Sequence, residues 1–139
     1  MIGGTPVVRS SKLQTEIALS TCEAEYITLS IAMRTLLPLR ELLQSLAGSS
    51  LKINRDEVTK VCAVWEDNNA ALKLATAQFP NMTPRTKHIA IKYHWFKSHI
   101  KEGEIEVCAI DTKVQKAHIF TKGIAKKEFQ DKRAMIMGW

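Results

Sequence analysis

A long apolar stripe in the first third of the chain constrains its fold more than any other feature. Apolar side chains recur there at alternating steps of three and four residues, which places them on one helix face: Leu29, Ala32, Leu36, Leu39, Leu43 and Leu46. The preceding segment, Ser20–Glu23, has the S-x-x-E spacing of a capping box, which satisfies backbone N–H groups at a helix start. We expect a helix from about Thr21 to about Gly48. Pro38 predicts a kink or a break around Leu37, since proline lacks a backbone N–H.

Three segments outside this helix have the pattern of β-strands. Residues 5–20 contain β-branched side chains with partial alternation, and a strand is predicted there up to Ser20. Residues 61–65 form a short continuous apolar run, which is typical of a strand buried on both faces. Residues 104–110 alternate between polar and apolar side chains, as half-buried strands do. The sequence therefore predicts a small sheet of about three strands.

Shorter helices are predicted between and after these strands. Residues 68–75 have a helical pattern directly after the second strand. A further apolar helix face ends at Glu102-Gly103 and consists of Ile89, Tyr93, Phe96 and Ile100. One or two short basic helices are expected from Val114 to Trp139. Strands separated by helices favour an α/β layer fold with helices packed on an at least partly parallel sheet.

The composition fits one compact globular domain. The chain has 139 residues, of which 45% are hydrophobic and 24% are charged, unlike disordered or collagen-like proteins. Its apolar runs are shorter than the roughly 18 to 20 residues of a membrane span. We therefore expect a soluble intracellular protein of the cytoplasm or nucleus, with no membrane contact. Three widely spaced cysteines form no C-x-x-C pair, which favours reduced, buried thiols.

Two carboxylates occupy positions from which they could bind a metal ion. One four-residue step back from Leu29 along the apolar stripe lands on Glu25, which predicts a carboxylate turned toward the core that needs a partner or a metal. The alternative is a solvent-accessible position stabilised by the helix dipole. Asp67 follows a predicted buried strand, where ligands of open α/β sheets tend to bind, but it could equally be the N-cap of the next helix. If the two converge, they suggest Mg²⁺.

Several further motifs, taken together, resemble one protein family. They lie in residues 10–15, 18–26, 66–71, 85–89, 93–94, 103–106 and 115–122. These segments are similar to the ribonuclease H domain of Ty/copia-type retrotransposon polyproteins, over about residues 5–124, followed by a basic tail at 125–139. The resemblance implies a single domain over residues 1–139 with a ribonuclease H-like fold and a mixed sheet. The family's first hairpin would be missing.

The resemblance also implies a catalytic site for cleaving the RNA strand of an RNA/DNA hybrid. In that family four acids hold two Mg²⁺ or Mn²⁺ ions, and the family's helix glutamate and strand-end aspartate fall on Glu25 and Asp67. The first family aspartate lies on the missing hairpin, and the last is replaced by His118, which suits Mn²⁺ or Zn²⁺ better than Mg²⁺. His118 could instead be a helix histidine without a ligand role. Asp111 and Glu23 remain possible substitutes, although we assign Glu23 to the capping box.

Basic residues suggest where a hybrid would bind. The formal net charge is +6 with a pI near 9.3, which favours a polyanionic partner. With the family resemblance, we expect phosphate contacts from Lys87, His88, Lys92, Lys122, Lys126 and Lys127, with Lys132 and Arg133 in the same tail. The alternative is a solvated basic face. Such contacts would recognise backbone shape and 2′-hydroxyls rather than bases.

The sequence leaves three functional hypotheses. The first is a metal-dependent ribonuclease H with weak endonuclease activity, because two of the four family acids are missing or replaced. The second is a catalytically impaired remnant that binds hybrids or other nucleic acid and self-associates. The third is a self-associating structural remnant without a nucleic-acid role. A missing hairpin would leave an unpaired strand edge, so we expect a homodimer or strand-swapped oligomer.

Overall fold

The computed structural model describes residues 6–47, 58, 60–77, 93–120 and 123–138. The chain forms two compact units, one of residues 16–109 and one of residues 1–15 with 110–139. The larger unit contains the sheet, and the smaller contains the basic tail. Of the helices described, none is long and apolar enough to cross a bilayer. The single-domain organisation expected from the sequence stays a prediction.

Helix α1 spans Thr21–Ala47 and begins where the capping box predicts. The Ser20 hydroxyl accepts a hydrogen bond from the Glu23 backbone N–H at 3.2 Å. The Glu23 carboxylate accepts in return from the backbone N–H of Leu19 at 2.8 Å. In the usual capping box the donor is the N–H of the N-cap residue, which here is Ser20. The helix continues through Pro38, so the predicted break is wrong. Because Pro38 is exposed on the helix surface, water can replace the hydrogen bond that proline removes.

The buried face of α1 is rotated from the predicted leucine stripe. Tyr26, Ser30 and Met33 are fully buried, and Leu37 is nearly so, whereas Ala32 of the stripe is exposed. Leu29 is buried at the flank of this face, and the later leucines of the stripe are half-buried. Side-chain size explains the difference, because burying a tyrosine and a methionine removes more apolar surface from water than burying an alanine. The stripe therefore marks the border of the buried face rather than its centre.

Among the described residues, the sheet has two parallel strands, β1 (Cys62–Glu66) and β2 (Ile105–Ala109). Cys62 pairs with Ile105 and Glu66 pairs with Ala109, which confirms the predicted parallel pairing. The third predicted strand is wrong in the described residues 6–20, which have no strand structure. A strand needs a neighbouring strand to pair with, and no strand in the described part of the chain pairs with these residues. Burial of the second strand on both faces is also wrong, since Trp65 remains 53% exposed.

Two helices lie between the parallel strands in the described part of this connection, in keeping with the crossover that a parallel pair requires. Helix α2 spans Asn69–Thr76 and packs against α1 and β2, and helix α3 is a short helix of five residues at Lys97–Lys101. Tyr93 and Phe96 are buried as predicted, but they precede α3 instead of lying within it. The predicted helix start at Ile89 lies outside the described residues. Gly103, with a φ of 74°, ends this region as expected, because the left-handed conformation favours glycine.

The smaller unit contains the two short basic helices predicted for the tail. They are a 3₁₀-helix at Lys116–Phe120 and helix α4 at Lys126–Met137. Lys132 of α4 is buried, and its ammonium group donates to three backbone carbonyls at 2.8–3.2 Å, those of Thr112, Lys113 and Gln115. Its predicted place on the exposed basic surface is therefore wrong. The lysine instead closes the turn before the 3₁₀-helix.

Replacing Lys132 tests this role. We expect Lys132→Met to destabilise the smaller unit by about 2 kcal/mol, because hydrogen bonds to a charged group contribute on the order of 1.5–3 kcal/mol. Hydrogen exchange of the α4 amides measures this local stability. The matched control is Lys127→Met, an exposed lysine on the same helix. Equal protection of α4 in both variants would show that the buried ammonium contributes nothing.

Candidate active site

The carboxyl end of β1 is built from Glu66, Asp67 and Asn68. The Glu66 side chain is only 7% exposed, and its carboxylate accepts a hydrogen bond from the Asn68 backbone N–H at 2.9 Å. The Asn68 side chain caps α2 by accepting from the backbone N–H groups of Ala70 and Ala71 at 3.0 and 3.1 Å. The N-cap is therefore Asn68, and the alternative that Asp67 caps this helix is wrong. Asp67 is half-buried between the strand and the helix.

Glu25 lies on α1, just after its capping box. Its side chain is half-buried, beside the fully buried Tyr26. The more deeply buried glutamate of α1 is Glu23, which is held by the backbone N–H of Leu19. The assignment of Glu23 to the capping box is thereby confirmed.

Electrostatic effects link these carboxylates to one another. Burial is the main cause that raises the pKa of Glu66, and the charges of Glu25 and Asp67 raise it further. The hydrogen bond from the Asn68 N–H acts in the opposite direction by stabilising the charged form. Burial also raises the pKa of the Cys22 thiol, followed by the charges of Glu66 and Glu23. The start of α1 and the end of β1 thus share one acidic neighbourhood, which we call the acidic group: Glu23, Glu25, Glu66 and Asp67.

The sequence analysis missed Glu66. This residue follows an apolar run and precedes the aspartate of the family motif, so nothing in the pattern separates it from a polar strand end. The available signal was the side-chain alternation of a strand, since Glu66 falls on the same face as Cys62 and Val64, which pack against the core. Because alternate residues of a strand face the same side, this spacing indicates that the Glu66 carboxylate faces inward.

The acidic group suits a hard divalent cation. Mg²⁺ keeps several of its waters and is typically bound through one or two carboxylates, which Glu25 and Asp67 can supply. A cation would also offset the repulsion that Glu25 and Asp67 exert on the buried Glu66. The acidic group does not provide three converging ligand atoms within the described residues. The one such set found there lies at the opposite end of the sheet.

Other predicted site residues fall in different places. His118 is half-buried in the 3₁₀-helix of the smaller unit, and its role beside Glu25 and Asp67 stays a prediction. Lys126 and Lys127 are exposed in the first turn of α4, where phosphate could reach them. Four predicted contacts lie outside the described residues: Lys87, His88, Lys92 and Lys122.

Buried polar contacts hold α1 against the segment before α3. The Tyr26 hydroxyl and His94 Nδ1 form a hydrogen bond of 2.7 Å, and burial raises the pKa of Tyr26 strongly, so its hydroxyl stays protonated. One helical turn further along α1, Ser30 Oγ accepts from the Trp95 indole N–H at 3.1 Å. Both contacts join residues more than 60 positions apart in the chain. They fix the part of α1 that carries Glu25.

Known proteins similar to this chain include polyproteins of plant transposons. The chain is 30% identical over 127 residues to the retrovirus-related Pol polyprotein from transposon TNT 1-94 of Nicotiana tabacum, covering 91% of this chain and 9% of that protein. It is 29% and 28% identical to the corresponding polyproteins from transposons RE1 and RE2 of Arabidopsis thaliana, covering 94% of this chain and 8% of each relative. No family model and no solved structure matches.

These relatives show that the chain is similar to part of a retrotransposon Pol polyprotein. It spans less than a tenth of the length of each of the curated relatives described. The similarity therefore concerns one segment of a much longer protein. It supports the retrotransposon origin implied by the sequence motifs.

Removing the buried charge tests the electrostatics of the acidic group. We expect Glu66→Gln, measured in a chelating buffer at pH 7, to raise the urea midpoint of unfolding, because the amide oxygen keeps the bond to the Asn68 N–H without the repulsion. A pKa raised on folding means that the native state binds the proton more tightly. Wild-type stability therefore falls as pH rises from the unfolded-state pKa through the folded-state pKa.

The gain in stability of Glu66→Gln over wild type should therefore be largest at pH 7. It should vanish below pH about 4, the ordinary pKa range of glutamate. Glu41→Gln, an exposed glutamate on α1, is the matched control and should change little at either pH. A Glu66→Gln protein that is less stable than wild type at pH 7 would contradict this electrostatic account.

Proposed function

We propose that this chain is a ribonuclease H-like domain of a retrotransposon polyprotein, which cleaves the RNA strand of RNA/DNA hybrids with Mg²⁺ or Mn²⁺. The proposal takes the fold to be ribonuclease H-like and the setting to be the cytoplasm or nucleus. Its main support is the set of family motifs, in which Glu25 and Asp67 match two of the family's acids, together with the transposon relatives. Glu25 lies near the start of α1, and Asp67 directly follows the buried Glu66 at the end of β1.

In this proposal Glu25 and Asp67 are the principal metal ligands. Divalent ions held there would supply an activated water and would stabilise the leaving oxygen of an in-line displacement. Glu25 is oriented by the contacts of Tyr26 and Ser30, and Asp67 by the turn that Glu66 and Asn68 close. His118 aligns in sequence with the family's last acid, and an imidazole ligand would favour Mn²⁺ over Mg²⁺. Weak activity follows from this altered ligand set.

The hybrid would be held by exposed cations. Lys126 and Lys127 are available for phosphate in the first turn of α4. The other proposed contacts are Lys87, His88, Lys92 and Lys122. Phosphate contacts of this type add affinity without reading base sequence.

A second candidate function is an impaired remnant that binds nucleic acid and self-associates. The observation that favours it is exposed apolar surface in the larger unit. Within the larger unit, Ile17, Leu19 and Trp65 are 90%, 74% and 53% exposed, and in the described residues β1 pairs with β2 alone. An open strand edge next to apolar side chains can pair with a second copy, giving a homodimer or a strand-swapped oligomer.

Cleavage of a labelled RNA/DNA hybrid tests the first proposal. Wild-type protein should release RNA fragments with Mn²⁺ and more slowly with Mg²⁺. Glu25→Gln combined with Asp67→Asn should lower the rate by at least a factor of about 100, in line with losing several kcal/mol of metal-assisted stabilisation. Glu41→Gln should cleave like wild type. Equal rates for the double variant and wild type would refute the assignment of the two ligands.

Hybrid binding at several salt concentrations tests the second candidate. Replacing Lys126 and Lys127 by glutamine should weaken binding and reduce the slope of log affinity against log salt by about 1 to 2, as expected for losing up to two phosphate contacts. The matched control replaces two other exposed lysines, Lys12 and Lys60, by glutamine. Salt-dependent binding without cleavage would select the remnant, and binding that does not depend on salt would argue against both candidates.

A further inference from the structure

A second group of metal-ligating side chains lies at the other end of the sheet. One ligand atom from each of His99, Glu102 and Glu104 lies within 4.8 Å of the other two. Glu104 directly precedes β2, and its carbonyl accepts from the Cys62 N–H, which begins β1. Because β1 and β2 are parallel, this group and the acidic group are at opposite ends of the strands.

The turn after α3 brings these side chains together. The Glu102 N–H donates to the Ser98 carbonyl at 2.9 Å, which is the last i→i−4 hydrogen bond of the helix. Gly103 then takes the left-handed conformation, with a φ of 74°. The Glu104 N–H donates back to the His99 carbonyl at 3.0 Å. The chain therefore folds back, and the two carboxylates reach the last turn of the helix, which carries the histidine.

Neighbouring side chains orient two of the three ligands. His99 Nδ1 and Glu104 Oε2 are 2.5 Å apart, while the other carboxylate oxygen, Oε1, faces Arg40 Nη1 at 3.7 Å. The Trp95 ring meets the His99 ring edge to face, with centroids 5.7 Å apart and an angle of 82°. Metal ligands are typically held by such outer contacts, which fix their rotamers before the ion arrives.

We propose that His99, Glu102 and Glu104 bind one divalent transition-metal ion, with Zn²⁺ as the best fit. One imidazole nitrogen and two carboxylate oxygens suit a borderline ion in tetrahedral geometry, with water as the fourth ligand. Mg²⁺ fits poorly, because it prefers oxygen ligands. The ion takes the place of the proton shared by His99 and Glu104, which passes to water. The site is independent of the proposed nuclease function and uses none of its residues.

Binding here would have a structural effect. The ion would tie the end of α3 to the residue before β2 and so secure the start of the parallel strand pair. A ligand that binds only the folded state raises its stability in proportion to the logarithm of ligand concentration over Kd. Zn²⁺ should therefore raise the melting temperature of the protein, and a chelator should reverse the rise.

Calorimetric titration of the metal-free full chain with Zn²⁺ tests the proposal. Wild type should bind Zn²⁺ at this site. His99→Gln and Glu102→Gln should each weaken the Zn²⁺ affinity by on the order of 10- to 100-fold, as is typical when a group of a metal site is lost. Glu102→Gln leaves the His99–Glu104 hydrogen bond intact, so it separates metal binding from folding. The matched controls are Glu41→Gln and Glu106→Gln, exposed glutamates on α1 and β2, and both should bind like wild type.

The melting temperature provides a second measurement. Zn²⁺ should raise it in wild type and both controls but not in Glu102→Gln, and an excess of Mg²⁺ should not compete. Loss of Zn²⁺ binding in a control variant, or equal affinity in Glu102→Gln and wild type, would overturn the site. Absence of any Zn²⁺ binding by wild type would also overturn it, and hybrid cleavage by the same preparation would show that the nuclease proposal is unaffected.

Discussion

The buried hydrogen bond between Tyr26 and His94 fixes the position of α1, and with it the geometry of the acidic group. A hydroxyl and an imidazole taken out of water each need a partner, so their burial is tolerated only when the two segments meet in one register. The bond between Trp95 and Ser30 repeats this requirement one turn further along the helix. Apolar packing alone would allow α1 to slide or rotate. The polar contacts determine which side chain of its first turns faces the end of β1.

The acidic group disfavours the charged form of the buried Glu66. Glu66 is buried beside two like-charged neighbours, and a chain selected only for stability would place an apolar residue there. Such conflicts between folding and charge concentrate at functional sites, where a ligand supplies the missing compensation. The group of His99, Glu102 and Glu104 differs in this respect, because Arg40 and the imidazole already balance part of its charge.

The sequence predicted the features that depend on neighbours in the chain. The start of α1 follows from Ser20 and Glu23, whose capping contacts involve only residues 19–23, and the parallel pairing follows from helices between two strands. Features that depend on distant partners were missed. The leucine stripe could not show that Tyr26 would meet His94, and the residues before α1 had strand propensity but no partner strand in the described chain. The local sequence could not show that the N-cap of α2 is Asn68 and not Asp67, because asparagine and aspartate both favour that position.

The buried ammonium of Lys132 changes how the basic tail should be regarded. The formal charge of +6 counts this lysine equally with Lys126 and Lys127. Three carbonyl dipoles surround it, however, and their negative ends screen its field toward solvent. A polyanion approaching this helix would thus encounter a weaker and more uneven potential than residue counting suggests, with the attraction concentrated at the amino-terminal end of α4.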